Sequence, residues 1–160
     1  MEMIKDFISN EESNELIQFH KENFNLNKKY CFMHRNTEVI DHLVFTKFTN
    51  VKFFTNIEKA LTKFGKNVNN NYIIDYFQIV KWPTKELQDF HLDFDYHPYT
   101  SIIYLNDDFE GGETVVKDKT IVPEKNKLIS FEGSKMMHKV NEITKGVRYT
   151  APCWYKYESK

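Results

Sequence analysis

Along the first quarter of the chain, apolar residues recur at helical spacing. Ser9-Asn-Glu-Glu12 reads as a capping box, in which a hydroxyl and a carboxylate satisfy the free amides of a helix start, and the helix it opens runs to about Asn23. Leu16, Ile17, His20 and Phe24 give that helix an apolar-leaning face, with His20 expected half-buried. Phe54, Ile57, Leu61 and Phe64 repeat the pattern between Asn50, a fair N-cap, and Gly65, a fair stop. This stripe predicts packing against the outside of a sheet. Between the two helices, 25–50 is less regular, and His34, Arg35 and His42 there read as surface or loop residues that a substrate groove can use. From Tyr72 the period changes to that of strands, over 72–82, 91–93, 101–106, 113–116, 119–122, 127–132, 138–143 and 147–156. Trp82-Pro83, Asn106-Asp-Asp, Gly111-Gly112, Pro123 to Asn126, Gly133 and Gly146 separate them. Many short strands after two helices predict a helix-backed β-sandwich or jelly-roll barrel.

Composition sharpens this picture. A chain of 160 residues without repeats or linker-like tracts predicts one domain, 1–160, with 1–70 as helical support and 72–157 as the β core. Aromatic residues are 16% of the chain, so rings must supply much of the buried area. A net charge of −1 gives no overall electrostatic reason to bind nucleic acid or an anionic membrane. No apolar run is long enough to span a bilayer, and Met1-Glu-Met-Ile-Lys-Asp6 lacks the character of a signal peptide. Two cysteines, Cys31 and Cys153, read as free thiols in a reducing cytoplasm, and a monomer is the favoured state.

Four positions in the strand-rich part carry chemistry. His91 and Asp93 stand two apart on one extended segment, so their side chains point the same way, and His138 brings a third donor from a distant strand. Two imidazoles and a carboxylate on one side of a metal are the facial arrangement of a non-haem Fe(II) site, which leaves positions for a chelating cosubstrate and O2. Arg148 lies ten residues past His138, far enough to leave one strand, turn and enter the next beside the metal. A fixed cation there suits the remote carboxylate of a dicarboxylate, and that carboxylate supplies the counter-charge a buried guanidinium needs.

With these residues in place, the chain resembles the Fe(II)/2-oxoglutarate-dependent dioxygenases and, among them, the prolyl 4-hydroxylase-like branch. Thr100-Ser-Ile-Ile-Tyr-Leu-Asn106, Phe109-Glu-Gly-Gly-Glu-Thr114, Val122-Pro123, Phe131, His138, Val140, Gly146, Arg148 and Trp154 follow in the order that branch shows, across 72–157. Asp6-Phe7-Ile8-Ser9 with Glu11-Glu12 also resembles the opening of such domains. The chain departs from the commonest pattern at Arg148, where many prolyl 4-hydroxylases carry lysine, and at Asn126, where a glycine often sits. The resemblance implies a mainly β fold with flanking helices and a double-stranded β-helix (jelly-roll) core, its metal in the mouth between two sheets. It implies Fe(II), 2-oxoglutarate and O2, with ascorbate as reductant. It also implies that the Tyr104 hydroxyl joins Arg148 on the cosubstrate carboxylate, and Thr100 is placed in the same pocket. Asp93 is kept where halogenating relatives lose the carboxylate, so hydroxylation is the expected reaction. Trp154 stands where nucleic-acid demethylases carry a second arginine, which argues against that activity.

The expected product is a prolyl peptide or protein hydroxylated at position 4, since polyproline II segments are extended and bind at low ordering cost. Trp82, Tyr96, Tyr99 and Trp154 are rings that could pack on the pyrrolidine, and His97 reads as a mobile loop residue touching substrate. Tyr76 is as easily core as wall. Gly111-Gly112 reads as a tight turn, and Lys117 to Lys119 and Lys125 to Lys127 as solvated hairpin ends. Two other readings stay open: a hydroxylase of a free amino acid or other small metabolite, and a metal-binding jelly-roll module without turnover.

Overall fold

The computed structural model describes residues 1–25, 29–41 and 52–159, so the expectations for His42 and Asn50 lie outside the described residues. In chain order the elements are β1 (Glu2–Ile4), α1 (Asn10–Asn23), β2 (Cys31–His34), β3 (Thr37–Asp41), α2 (Lys52–Val68), β4 (Tyr72–Trp82), β5 (Gln88–His91) and β6 (Tyr99–Tyr104). There follow β7 (Glu110–Gly111), β8 (Thr114–Val116), β9 (Lys119–Ile121), β10 (Leu128–Phe131), β11 (His138–Val140), β12 (Ile143–Lys145) and β13 (Arg148–Tyr157).

The strands form a large sheet in the order β1-β10-β6-β13-β4-β3-β2, a small sheet β5-β11-β8-β9, and a β12-β7 pair. All the registered pairs are antiparallel. This is the helix-backed jelly roll that the strand pattern predicts, with two sheets facing one another. The residues before Tyr72 do more than support it, because β1, β2 and β3 join the large sheet. The predicted 138–143 strand is split at Asn141-Glu142 into β11 and β12, which belong to different pairings.

Alternation along the central strands decides which side chains meet helix and which meet cavity. On β13, Tyr149, Ala151, Cys153 and Tyr155 join the core under the helices, while Arg148, Thr150, Pro152 and Trp154 line the cavity between the sheets. On β4, Phe77 and Ile79 take the helix side and Tyr76, Gln78, Val80 and Trp82 the cavity side. The parity reverses nearer the start of β4, where Tyr72 and Ile74 pack on the helix-side core. The cause is a bulge: Trp154 pairs with Tyr76 but Tyr155 pairs with Ile74, leaving Asp75 as an extra residue.

Helix α1 begins as predicted, with Ser9 accepting from the Glu12 amide and Glu12 accepting from the Ser9 amide. His20 is fully buried rather than half-buried, because its Nε2 meets the Glu38 carbonyl at 2.9 Å and its ring stacks on Phe24. The Phe54, Ile57, Leu61 and Phe64 stripe packs into the core, as its spacing predicts. Gly65 does not end α2, which continues to Val68; its missing side chain makes room for the Tyr155 ring, whose Cε1 would lie 2.5 Å from a Cβ there. Asn126 takes the position where a glycine is common with φ of 72° and anchors it through its side chain, which bonds Ser13 and Asn10. Lys127 is 8% exposed, not a solvated hairpin residue, and its Nζ donates to the Val122 carbonyl at 2.6 Å.

Candidate active site

The two sheets enclose an open cavity of about 470 Å³. His91 on β5 and His138 on β11 are direct cross-strand partners, so their rings project from the small sheet side by side, 4.2 Å between centroids. Asp93 is not on the strand: β5 ends at His91, and Asp93 reaches the same point from the following loop, its amide bonded to the Gly133 carbonyl at 2.9 Å. Strand alternation therefore does not account for the His91-Leu-Asp93 geometry. The loop does, together with Thr100, whose hydroxyl donates to Asp93 Oδ2 at 2.5 Å. Gly133 lies so close that a Cβ there would strike the Asp93 carboxylate and the Thr100 hydroxyl.

Donor atoms of His91, Asp93 and His138 all lie within 4.8 Å of one another. Each imidazole has its Nδ1 against a backbone carbonyl, Asp89 at 2.9 Å for His91 and Met136 at 2.8 Å for His138. A carbonyl only accepts, so Nδ1 carries the proton and Nε2 presents a lone pair, the orientation second-shell groups give to metal-binding histidines. Those Nε2 atoms stand 3.9 and 3.3 Å from Asp93 Oδ1. Three lone-pair donors facing one another are favourable only around a cation, and two nitrogens with one carboxylate oxygen suit Fe(II). Burial lowers the His91 pKa, the Asp89 carbonyl opposing it. Burial works to raise the Asp93 carboxyl, and the hydrogen bond that Thr100 donates to it opposes this, the net direction being below its ordinary value.

Arg148, at the start of β13, is 1% exposed. Its Nε donates to the Gly112 carbonyl at 3.0 Å and its Nη2 to Thr114 Oγ1 at 3.2 Å. The guanidinium lies within cation–π distance of two rings, 5.0 Å from the Trp82 centroid and 5.5 Å from that of Tyr104. No carboxylate of the described residues pairs with it within 4.0 Å. Burial pushes its pKa down, with Tyr104 opposing. The Gly111-Gly112 turn that presents the Gly112 carbonyl has φ of 74° and 66°, the left-handed backbone glycine allows.

The predicted residues divide. His91, Asp93, His138, Arg148, Thr100, Trp82 and Trp154 all line the cavity, as does His34. Tyr104 is not among the cavity-lining residues: it is fully buried beside Arg148, with its hydroxyl 2.5 Å from Thr114 Oγ1. Tyr99 falls on the helix-side face of β6, buried at 6% and bonded to Ser130, so it is core and not substrate wall. Tyr96 is 62% exposed and stacks on Phe94, off the cavity wall. His97 lines the cavity as well, but it is no mobile loop residue: it is 2% exposed and bonded through Nε2 to Asp75 at 2.7 Å. Thr114, Gly112 and Gly133 complete the site without having been singled out as site residues, though the GGET block contains two of them, and Tyr76, weighed evenly between core and wall, takes the wall.

A jelly roll whose small sheet and adjoining loop gather two histidines and an aspartate, with a buried arginine in the same cavity, defines the class of mononuclear non-haem iron oxygenases. The model of the 2OG-Fe(II) oxygenase superfamily matches residues 77–156, half of the chain. The chain belongs to that superfamily. Human prolyl 3-hydroxylase 2 is 34% identical over 70 residues, covering 39% of this chain, and this chain spans only 10% of that protein's length. In structure, the chain is similar to a viral collagen prolyl hydroxylase from Paramecium bursaria Chlorella virus-1, with TM-score 0.72 at 20% identity, covering 98% of this chain and 95% of that one. It is also similar to a prolyl-4-hydroxylase from Pseudomonas putida, with TM-score 0.76 at 13% identity, covering 99% and 92%.

Proposed function

We propose that the protein is an Fe(II)- and 2-oxoglutarate-dependent dioxygenase that hydroxylates a prolyl residue in a peptide or protein. The observation that carries the cosubstrate is Arg148, a buried cation on the wall of the triad's own cavity with no carboxylate of the described residues within 4.0 Å to neutralise it. A dicarboxylate that chelates the metal at one end and meets Arg148 at the other satisfies both requirements. In this reading His91, Asp93 and His138 hold the iron, and Thr100 fixes the Asp93 carboxylate. Trp82 and Tyr104 both lie within cation–π distance of the Arg148 guanidinium, and Thr114 links Tyr104 to it. When bound, Fe(II), 2-oxoglutarate and O2 supply the oxidant that places one oxygen atom in a substrate C–H bond and the other in succinate, with release of CO2.

Three features support a prolyl substrate. The far wall holds Tyr76 and Trp154, whose centroids are 4.9 Å apart; such flat rings suit a pyrrolidine. At the mouth Phe32, Leu92 and Phe94 are 41%, 48% and 66% exposed, apolar surface that a free amino acid would leave uncovered but a peptide would bury. The sequence and fold relatives named above are themselves prolyl hydroxylases. Position 4 is the expected site of hydroxylation.

The test is incubation with Fe(II), 2-oxoglutarate, O2 and ascorbate, offering a panel of proline-containing peptides and free L-proline. The expected result is succinate in step with a peptide mass gain of one oxygen, with amino-acid analysis assigning position 4 or 3. Turnover of free proline alone would sink the peptidyl claim, and no succinate under any condition would sink the cosubstrate claim. Arg148→Ala should weaken 2-oxoglutarate binding about ten- to a hundredfold, the loss of charge-assisted bonds worth roughly 1.5–3 kcal/mol, while metal affinity stays near wild type.

A further inference from the structure

Towards the other end of β13 from Arg148, a polar pair of a buried histidine and a partly exposed aspartate has no part in the chemistry above. Trp154 lies six residues along the strand, about 20 Å from Arg148, and its Cα partner Thr100 is the residue that bonds Asp93. The metal cluster thus stands close to the Trp154 row, and what lies there faces the primary substrate. The bulge on β4 puts two successive side chains, Asp75 and Tyr76, on one side of the sheet. Asp75 takes the His97 Nε2–H at 2.7 Å and the Lys156 ammonium at 3.0 Å. The His97 ring, held there, meets Tyr76 edge-on at 5.4 Å and faces Trp154 at 6.4 Å.

We propose that Asp75 and His97 are a positioning pair for the primary substrate, fixing Tyr76 and Trp154 as a rigid aromatic corner at the end of the cavity away from Arg148. A sheet without the bulge would place Asp75 and Tyr76 on opposite faces, and His97 would lose its anchor. The pair sets the primary-substrate affinity and leaves the cosubstrate end alone. It rests on the prolyl-hydroxylase reading only for the identity of that substrate.

Two measurements test it. The chain has two tryptophans, so Trp82→Phe leaves Trp154 as the only indole emitter. In that background Asp75→Ala should raise acrylamide quenching of Trp154 and shift its emission to the red, while Lys156→Met, which leaves the His97 bond in place, should change neither. Unchanged emission in Asp75→Ala, or the same change in Lys156→Met, overturns the proposal. If Asp75→Ala does not fold, His97→Phe, which keeps a ring but cannot bond Asp75, replaces it with the same expected outcome. With poly-L-proline as probe and Trp82 restored, Asp75→Ala should raise the peptide KM up to about tenfold, because rings no longer held must be ordered again on binding, with the 2-oxoglutarate KM unchanged. Both constants rising together, or neither moving, overturns it. Should the wild type turn over no proline-containing peptide at all, poly-L-proline included, the prolyl reading falls, while the Trp154 emission still decides the fate of the pair.

Discussion

Gly133 shows how little a residue need offer to matter. It has no side chain and no ligand atom, yet the space it leaves is occupied by the Asp93 carboxylate and the Thr100 hydroxyl, and its carbonyl holds the Asp93 amide. Gly133→Ala should therefore displace the carboxylate and lower metal affinity well below wild type, with far-UV circular dichroism unchanged; metal titration by calorimetry checks it, and wild-type affinity would remove Gly133 from the site. His20 carries a different prediction, in acid stability. Burial lowers its folded pKa below the ordinary 6.5, the Glu38 carbonyl opposing. Between the folded value and about 6.5 the unfolded chain binds the proton and the folded chain does not, so stability rises with pH across that window and is lost on acidification. The melting temperature of the wild type should fall from pH 7 towards pH 5 more steeply than that of His20→Gln, whose side chain does not titrate. Parallel curves would show that His20 does not supply the slope.

Among the elements, α2 and β13 are fitted to one another at a single contact. Alanine at Gly65 would gain about 1 kcal/mol of helix propensity. Against this, its Cβ would lie 2.5 Å from the Tyr155 ring, which is fully buried and tied by its hydroxyl to the Leu61 carbonyl at 2.9 Å. A ring so held cannot move aside, and overpacking of this kind costs roughly 1–3 kcal/mol. Gly65→Ala is expected to lower the denaturation midpoint, a result that helix propensity alone would reverse. The same contact explains why Gly65 misleads as a helix stop: sequence signals for an ending and for a close approach are the same residue. The β4 bulge was likewise illegible, since 72–82 reads as one unbroken strand, and only pairing with β13 reveals the extra residue.

For the whole molecule, a metal held as proposed by β5, β11 and the loop carrying Asp93 would bind the folded chain and not the unfolded one. Mn(II), offered as a redox-inert stand-in for iron, should raise the melting temperature of the wild type, by about 2.7 kcal/mol of stability at a hundred times its Kd, and chelator should reverse the shift. His138→Ala should show neither effect, and an equal shift in that variant would move the metal elsewhere. The sequence by itself determined the strand-rich jelly roll, its two supporting helices, the trio of candidate metal ligands and the buried arginine. Each is written as a local period, a capping pair, or a residue type whose chemistry has few other uses. What only the tertiary structure decided is which face each ring took. Tyr99 went to the core and Trp154 to the cavity because one strand's parity is set by its neighbours, and Asp93 reached the site from a loop because β5 ends at His91. The Asp75–His97 pair joins residues 22 apart in the chain. No local pattern marks such a contact, since it exists only once a bulge has turned one strand against another.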